Sequence, residues 1–210
     1  MAVGGLAAGA VSGSAGAAAT AKEKAQAKSA LVSLTDLPHG WTASPLPSTS
    51  ASGTGFTGGP ELARCLGVPT KLVTSNPPKE LSPLYSNPGG SELVQDTISI
   101  YPSAAYAHAV FAAVSSHKSA GCIAAELNSA GATSASDRAT VTRVTSPKGT
   151  AAFTLDATVT GEGSKPTPTS TEIVYFVHGQ YGTGLDVETS GMTPPTALTA
   201  QLLSVARARS

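Results

Sequence analysis

Hydrophobic and polar residues begin to alternate strictly at Glu92. In ELVQDTISIY (92–101) Val94, Ile98 and Ile100 share one face with Asp96 among them, while Gln95, Thr97 and Ser99 take the other. A period of two predicts a β-strand. Pro102 and Ser103 then suit a helix start, and Tyr106, Val110 and Val114 recur every fourth residue beside Ala107 and Phe111, which predicts an amphipathic helix. A second helical piece runs from Cys122 to Leu127 and ends near Gly131. Residues 139–145 read as a Thr- and Val-rich strand. The next strand, AAFTLDATVT (151–160), sends Ala151, Phe153, Leu155, Ala157 and Val159 one way and Thr154, Asp156, Thr158 and Thr160 the other. Such a pattern belongs to an antiparallel sheet with one buried and one wetted face. EIVYFVHG (172–179) is almost continuously apolar and reads as a central strand. His178-Gly179-Gln180 turns it into YGTGLDVET (181–189). Thr193-Pro194-Pro195 opens a last helix with Leu198, Leu202 and Val205 on one face.

Before Glu92 the pattern is weaker. Ala25 to Leu34 suits a short helix that Pro38 and Gly40 bring to an end. Residues 42–60 read as a long Ser/Thr/Pro/Gly loop with Phe56 as its bulky anchor, and Glu61 to Leu66 as a helical turn carrying Cys65. Pro77, Pro78, Pro83 and Pro88 punctuate an irregular crossing. The expected fold class is α+β: one antiparallel sheet with helices packed mainly on one face, in a single domain with one disulfide.

Composition sharpens this in two places. Hydrophobic residues make up 40% and charged residues only 12%, with 13 Lys and Arg against 13 Asp and Glu. Scattered cations that sum to no net charge exclude an electrostatic footprint for nucleic acid and a polybasic membrane-surface patch. Residues 1–30 are expected to be either the remnant of a signal peptide or an Ala/Gly-rich disordered tail. The small residues Ala15 to Ala19 followed by Lys22, Glu23 and Lys24 suit cleavage near Ala17 to Thr20. The folded domain is then expected over residues 31–210.

Candidate chemistry is sparse. Two cysteines in a chain expected to be exported argue for a Cys65–Cys122 bridge, whose long loop is expected to add about 4 kcal/mol. Neither has a Cys or His partner at zinc spacing, and His39, His108, His117 and His178 form no metal signature. No metal or cofactor is expected. There is no G-x-S-x-G elbow and no S-x-x-K box, so catalytic residues are not assigned and an enzyme is not expected. Gly89-Gly90 and Gly182-x-Gly184 lack a phosphate-binding context and read as turn and strand-irregularity glycines. Trp41 and Tyr85, Tyr101, Tyr175 and Tyr181 suit core or sheet positions. With helices over the Phe153/Leu155 side, the Asp156 side is left open for a ligand, and Arg143, Asp156 and His178 are its candidate binding residues.

The segment around the cysteines carries a resemblance. CLGV (65–68), SPLYSN (82–87), VQDTISIYPSAAYAHAVFAAV (94–114) and SAGCIAAEL (119–127), with the later IVYFVHGQYGTGLDV (173–187), resemble the PknH-like extracellular sensor-domain family of actinobacteria over roughly residues 31–208. The resemblance implies an antiparallel sheet flanked by helices, a family disulfide at Cys65 and Cys122, a cleft for an unidentified ligand and no catalytic residue. The second cysteine pair usual in kinase-linked members is missing. The expectation is therefore a standalone secreted or cell-envelope protein, without kinase activity, that binds a small ligand or an envelope component. A secreted hydrolase and an envelope protein–protein interaction domain are the competing expectations.

Overall fold

The computed structural model describes residues 18–46, 58–131, 139–159, 167–191 and 196–210. Eight strands form one antiparallel sheet: β1 (Thr42–Ser44), β2 (Lys79–Leu81), β3 (Leu84–Ser86), β4 (Glu92–Ile100), β5 (Thr140–Val144), β6 (Thr150–Val159), β7 (Thr167–His178) and β8 (Tyr181–Ser190). Their order is β1-β3-β4-β8-β7-β6-β5, and β2 shares the outer edge of β4 with β3. The helices are α1 (Ala21–Ala30), α2 (Pro60–Leu66), α3 (Thr70–Thr74), α4 (Ala104–Val114), α5 (Ser119–Gly131) and α6 (Thr196–Arg209). The expected α+β class, the antiparallel sheet and the disulfide are all present.

Helices cover both faces of the sheet, which differs from the expectation of one covered and one open face. On the first face Val94, Leu185, Val187, Val174, Phe176 and Ala152 pack against Leu198, Leu202, Leu203 and Ala206 of α6 and against Val32, Leu37 and Trp41. On the same face Ile98 and Ile100 pack against Ala27 and Ala30 of α1. On the second face Ala151, Phe153, Tyr175 and Tyr101 pack against Ala107, Val110 and Val114 of α4. The physical reason lies in β6 and β7. Ala151, Ala152 and Phe153 are consecutive and all buried, as are Val174, Tyr175 and Phe176, so neither strand has a wetted face at that end. Fully buried strands read as continuous apolar runs.

Helix α1 begins ten residues before the expected domain boundary at 31. Thr20 caps it: the Glu23 amide donates to Thr20 Oγ1 at 3.2 Å, and the Thr20 amide donates to Glu23 Oε2 at 2.7 Å. This reciprocal box satisfies two otherwise orphaned donors. Residues 21–30 are thus helical and packed on the sheet through Ala27 and Ala30, while residues 1–17, which include Ala17 of the expected cleavage region, lie outside the described residues. Phe56 also lies outside them.

Strands β2 and β3 were not legible, because Pro83 sits between two three-residue segments. Leu81 pairs with Thr97, and Tyr85 pairs with Val94, so one extra residue is accommodated between them. Ser82 bridges the break: its amide donates to the Asp96 carbonyl and its hydroxyl accepts from the Asp96 amide, both at 2.9 Å. The β7–β8 hairpin is as expected, with Gly179 at φ +55° opening a two-residue loop.

Behind α4 a further layer is made by Leu62, Ala63 and Leu66 of α2, Val73 of α3, and Ala113 and Cys122. The Cys65–Cys122 bridge ties α2 to α5, with Cα atoms 5.6 Å apart across a separation of 57 residues. Glu126 of α5 reinforces the tie by accepting the Gly59 amide at 2.6 Å, just ahead of α2.

Two outcomes follow from this packing. Replacing Cys65 and Cys122 together by alanine is expected to lower stability by about 4 kcal/mol, read from urea denaturation of the oxidised protein and the variant. A loss below about 1 kcal/mol would show that the loop is already constrained when unfolded. At Gly182 an added Cβ would lie 2.7 Å from Tyr101 Cε2 and closer still to Tyr175 Oη. Gly182→Ala is therefore expected to cost about 1–3 kcal/mol, and adding Tyr175→Phe, which deletes the nearest atom, is expected to recover part of it.

Candidate functional site

The alternation in β4 that buries Val94, Asp96, Ile98 and Ile100 on the first face commits Gln95, Thr97 and Ser99 to the second. Antiparallel pairing with β8 then places Asp186 opposite Gln95, Gly184 opposite Thr97 and Gly182 opposite Ser99. On the other edge of β4, Leu81 lies opposite Thr97 and Lys79 opposite Ser99. Continuing across the sheet, Tyr175 lies opposite Gly184. Two glycines in β8 therefore leave a trough in the backbone surface between a polar strip from β4 and Tyr175, and over Gly182 that trough is filled by the Tyr175 hydroxyl and the Tyr101 ring.

The strip is polar and nevertheless buried. Thr97 and Ser99 are each 1% exposed. Thr97 Oγ1 and Gln95 Nε2 are inaccessible and have no hydrogen-bond partner among the described residues. Most buried polar side-chain atoms in folded proteins are paired, and leaving one unpaired costs about 1–3 kcal/mol. A threonine hydroxyl and a glutamine amide thus lie side by side on one face of β4, both buried and both unpaired among the described residues. At the end of the trough the Tyr101 and Tyr175 hydroxyls lie 3.0 Å apart. Burial pushes both phenols well above their ordinary range, so the pair is neutral. Burial pushes Lys79 down.

The residues expected to bind a ligand are not brought together. Arg143 lies on β5 opposite Phe153, hence on the second face. Its guanidinium donates to the Ser116 carbonyl at 2.9 Å and to the Ser115 carbonyl, closing the C-terminal end of α4. That arrangement suits a cation at a helix C-terminus. Asp156 lies on the first face opposite Thr140, exposed, and accepts from Ser170 Oγ at 2.6 Å. His178 ends β7 at the exposed hairpin, eight residues from Ser170 and so about 26 Å along the strand from it. The expectation placed them on one open face. The register divides Arg143 from Asp156, and strand length separates Asp156 from His178.

The residues that do converge were legible only in part. Gln95, Thr97 and Ser99 read as the wetted side of a strand because each is polar. The usable signal was Gly182-x-Gly184, which stands opposite Ser99 and Thr97 and admits the Tyr175 hydroxyl and the Tyr101 ring at Gly182. A second depression, at the β5–β6 turn between Arg143 and Thr150, has its polar groups occupied within the turn, as in the Ser146 hydroxyl donating to the Thr150 carbonyl at 3.0 Å. All four histidines are exposed, and no cluster of three or more His, Cys, Asp or Glu suited to a metal occurs among the described residues.

No family model matches this sequence. No curated protein matches it either. Among solved structures, the chain is similar to the extracellular domain of PknH from Mycobacterium tuberculosis. That likeness has a TM-score of 0.39 and 13% sequence identity, and it covers 80% of this chain and 98% of the other. At that distance it assigns neither a family nor a ligand to this chain.

Proposed function

We propose that this protein is an extracytoplasmic, non-enzymatic binding module of the sensor type, which holds a small polar ligand in the trough between β4 and Tyr175. The carrying observation is the pair Thr97 Oγ1 and Gln95 Nε2, both buried and both without a partner among the described residues. The residue opposite Thr97 is Gly184, which has no side chain with which to pair the hydroxyl. The groups offered are the Gln95 amide and the Thr97 hydroxyl, so the matching ligand carries hydrogen-bonding groups and needs no charge. Recognition of this kind needs no covalent step. A disulfide between α2 and α5 fits an oxidising, extracytoplasmic compartment. No helix among the described residues is long and apolar enough to cross a membrane.

Native mass spectrometry of oxidised protein from its producing cells, compared with Thr97→Val, tests this reading. The wild type is expected to carry an extra mass that is lost on denaturation. The variant is expected to lose that mass while its ligand-free stability stays level or rises by about 1 kcal/mol, since it removes a buried hydroxyl that the fold leaves unpaired. A variant that keeps the ligand, or one destabilised by more than about 1 kcal/mol, would show the hydroxyl to be structural.

A further inference from the structure

Asp96 occupies the first face of β4, between Gln95 and Thr97 in sequence and on the opposite side of the sheet from the trough. Its side chain is fully buried. Oδ2 accepts the Val32 amide at 2.9 Å, and Oδ1 has no partner among the described residues. Val32 lies two residues beyond the end of α1, so this bond fixes the point at which the N-terminal helix leaves the sheet. The Val32 and Thr97 amides only partly compensate a buried carboxylate, whereas a carboxylic acid needs no more.

We propose that Asp96 is a pH-dependent latch: protonated, it holds Val32 and with it α1 on the sheet, and on ionisation it lets α1 loosen from Ile98 and Ile100. The inference is independent of the ligand reading. Burial raises the Asp96 carboxyl to about 7, against the partial opposition of the Val32 and Thr97 amides and of Arg209. A raised carboxyl contributes its stability in full below the unfolded-state value and loses it as pH rises through the folded one. The latch is thus closed in acid and loosened above neutrality.

The other charged and titratable groups that face it come from β3, from the turn after Val32 and from α6. From β3, Tyr85 donates its hydroxyl to the Val32 carbonyl at 3.0 Å, and burial, with Asp96 and Asp36 nearby, raises it further. Asp36, in the turn after Val32, is pushed up by burial, but Arg209 and Ser33 outweigh this and hold it below its ordinary value. Arg209 of α6 meets Asp36 through two bonds of 2.7 Å. Helix α1 turns Ala27 and Ala30 inward, and β8 sets Leu185 opposite Asp96.

Amide hydrogen exchange on the full oxidised chain, corrected for intrinsic rates, tests the latch. Between about pH 5.5 and pH 8, protection over Ala21–Val32 is expected to fall by about tenfold or more while that of β7 is unchanged. Asp96→Asn is expected to abolish the pH dependence, and His39→Gln, which removes the one histidine of the 31–41 segment, to preserve it. The ionisation of Asp96, followed by carbon NMR of its carboxyl in the wild type, gives a second reading should the Asn variant fail to fold. Protection of α1 that is flat with pH, or a carboxyl that titrates in the ordinary aspartate range, would overturn the proposal.

Discussion

Burial of β4 on both faces is the constraint from which the rest of the structure follows. From Asp96 to Ile100 every residue is buried, although three of the five are polar. A strand in that position imposes two demands. Its apolar side must be covered by chain from outside the sheet, and its polar side must find partners without water. The first demand is met by both ends of the described chain. Segment 31–36 is held across β4 by four backbone contacts: the Val32 amide to Asp96, the Val32 carbonyl to Tyr85, the Leu31 carbonyl to Arg209, and the Asp36 carbonyl to Gln201 at 2.9 Å. Irregular backbone cannot be buried unless such groups are paired. Because Arg209 and Gln201 belong to α6, the N-terminal segment and the C-terminal helix are held as one layer.

The opposite layer is built differently. Helices α2 and α3 are short, seven and five residues, and helices of that length are marginal without tertiary support. Their support is the bridge to Cys122 and the Glu126 carboxylate at Gly59, backed by Leu62, Leu66 and Val73. With only 12% charged residues, few ion pairs are available to the fold. The one between Arg209 and Asp36 also anchors backbone, whereas that between Arg64 and Glu61 is exposed, and such pairs add little.

The strongly periodic part of the chain was legible: β4, α4, β5, β6 and β8 fall where the pattern put them, whereas β7 begins at Thr167, five residues before the expected start, and α5 at Ser119, three before. Helix α1 was placed four residues late because Ala27 and Ala30, its only buried residues, give no apolar stripe; alanines suffice where a helix lies close against isoleucines. In α6 the buried set includes Leu203 and Ala206, with Val205 only half-buried, a small rotation of the expected face. Strands β2 and β3 escaped because a proline divides them and their pairing is set by a serine side chain. The site was hidden for a deeper reason. Alternation says which residues share a face, and it does not say whether that face meets water. Polar Gln95, Thr97 and Ser99 look wetted until a helical layer is laid over the second face, and that layer is a tertiary fact.

The central claim is that the second face of β4 is completed by a molecule other than the chain itself. A crystal structure of the protein from its producing cells tests this most directly. The account predicts density for a bound molecule, or for ordered water standing in for it, within hydrogen-bond distance of both Thr97 Oγ1 and Gln95 Nε2. A side chain of the protein itself bonded to those two atoms, closing the trough from within, would contradict it.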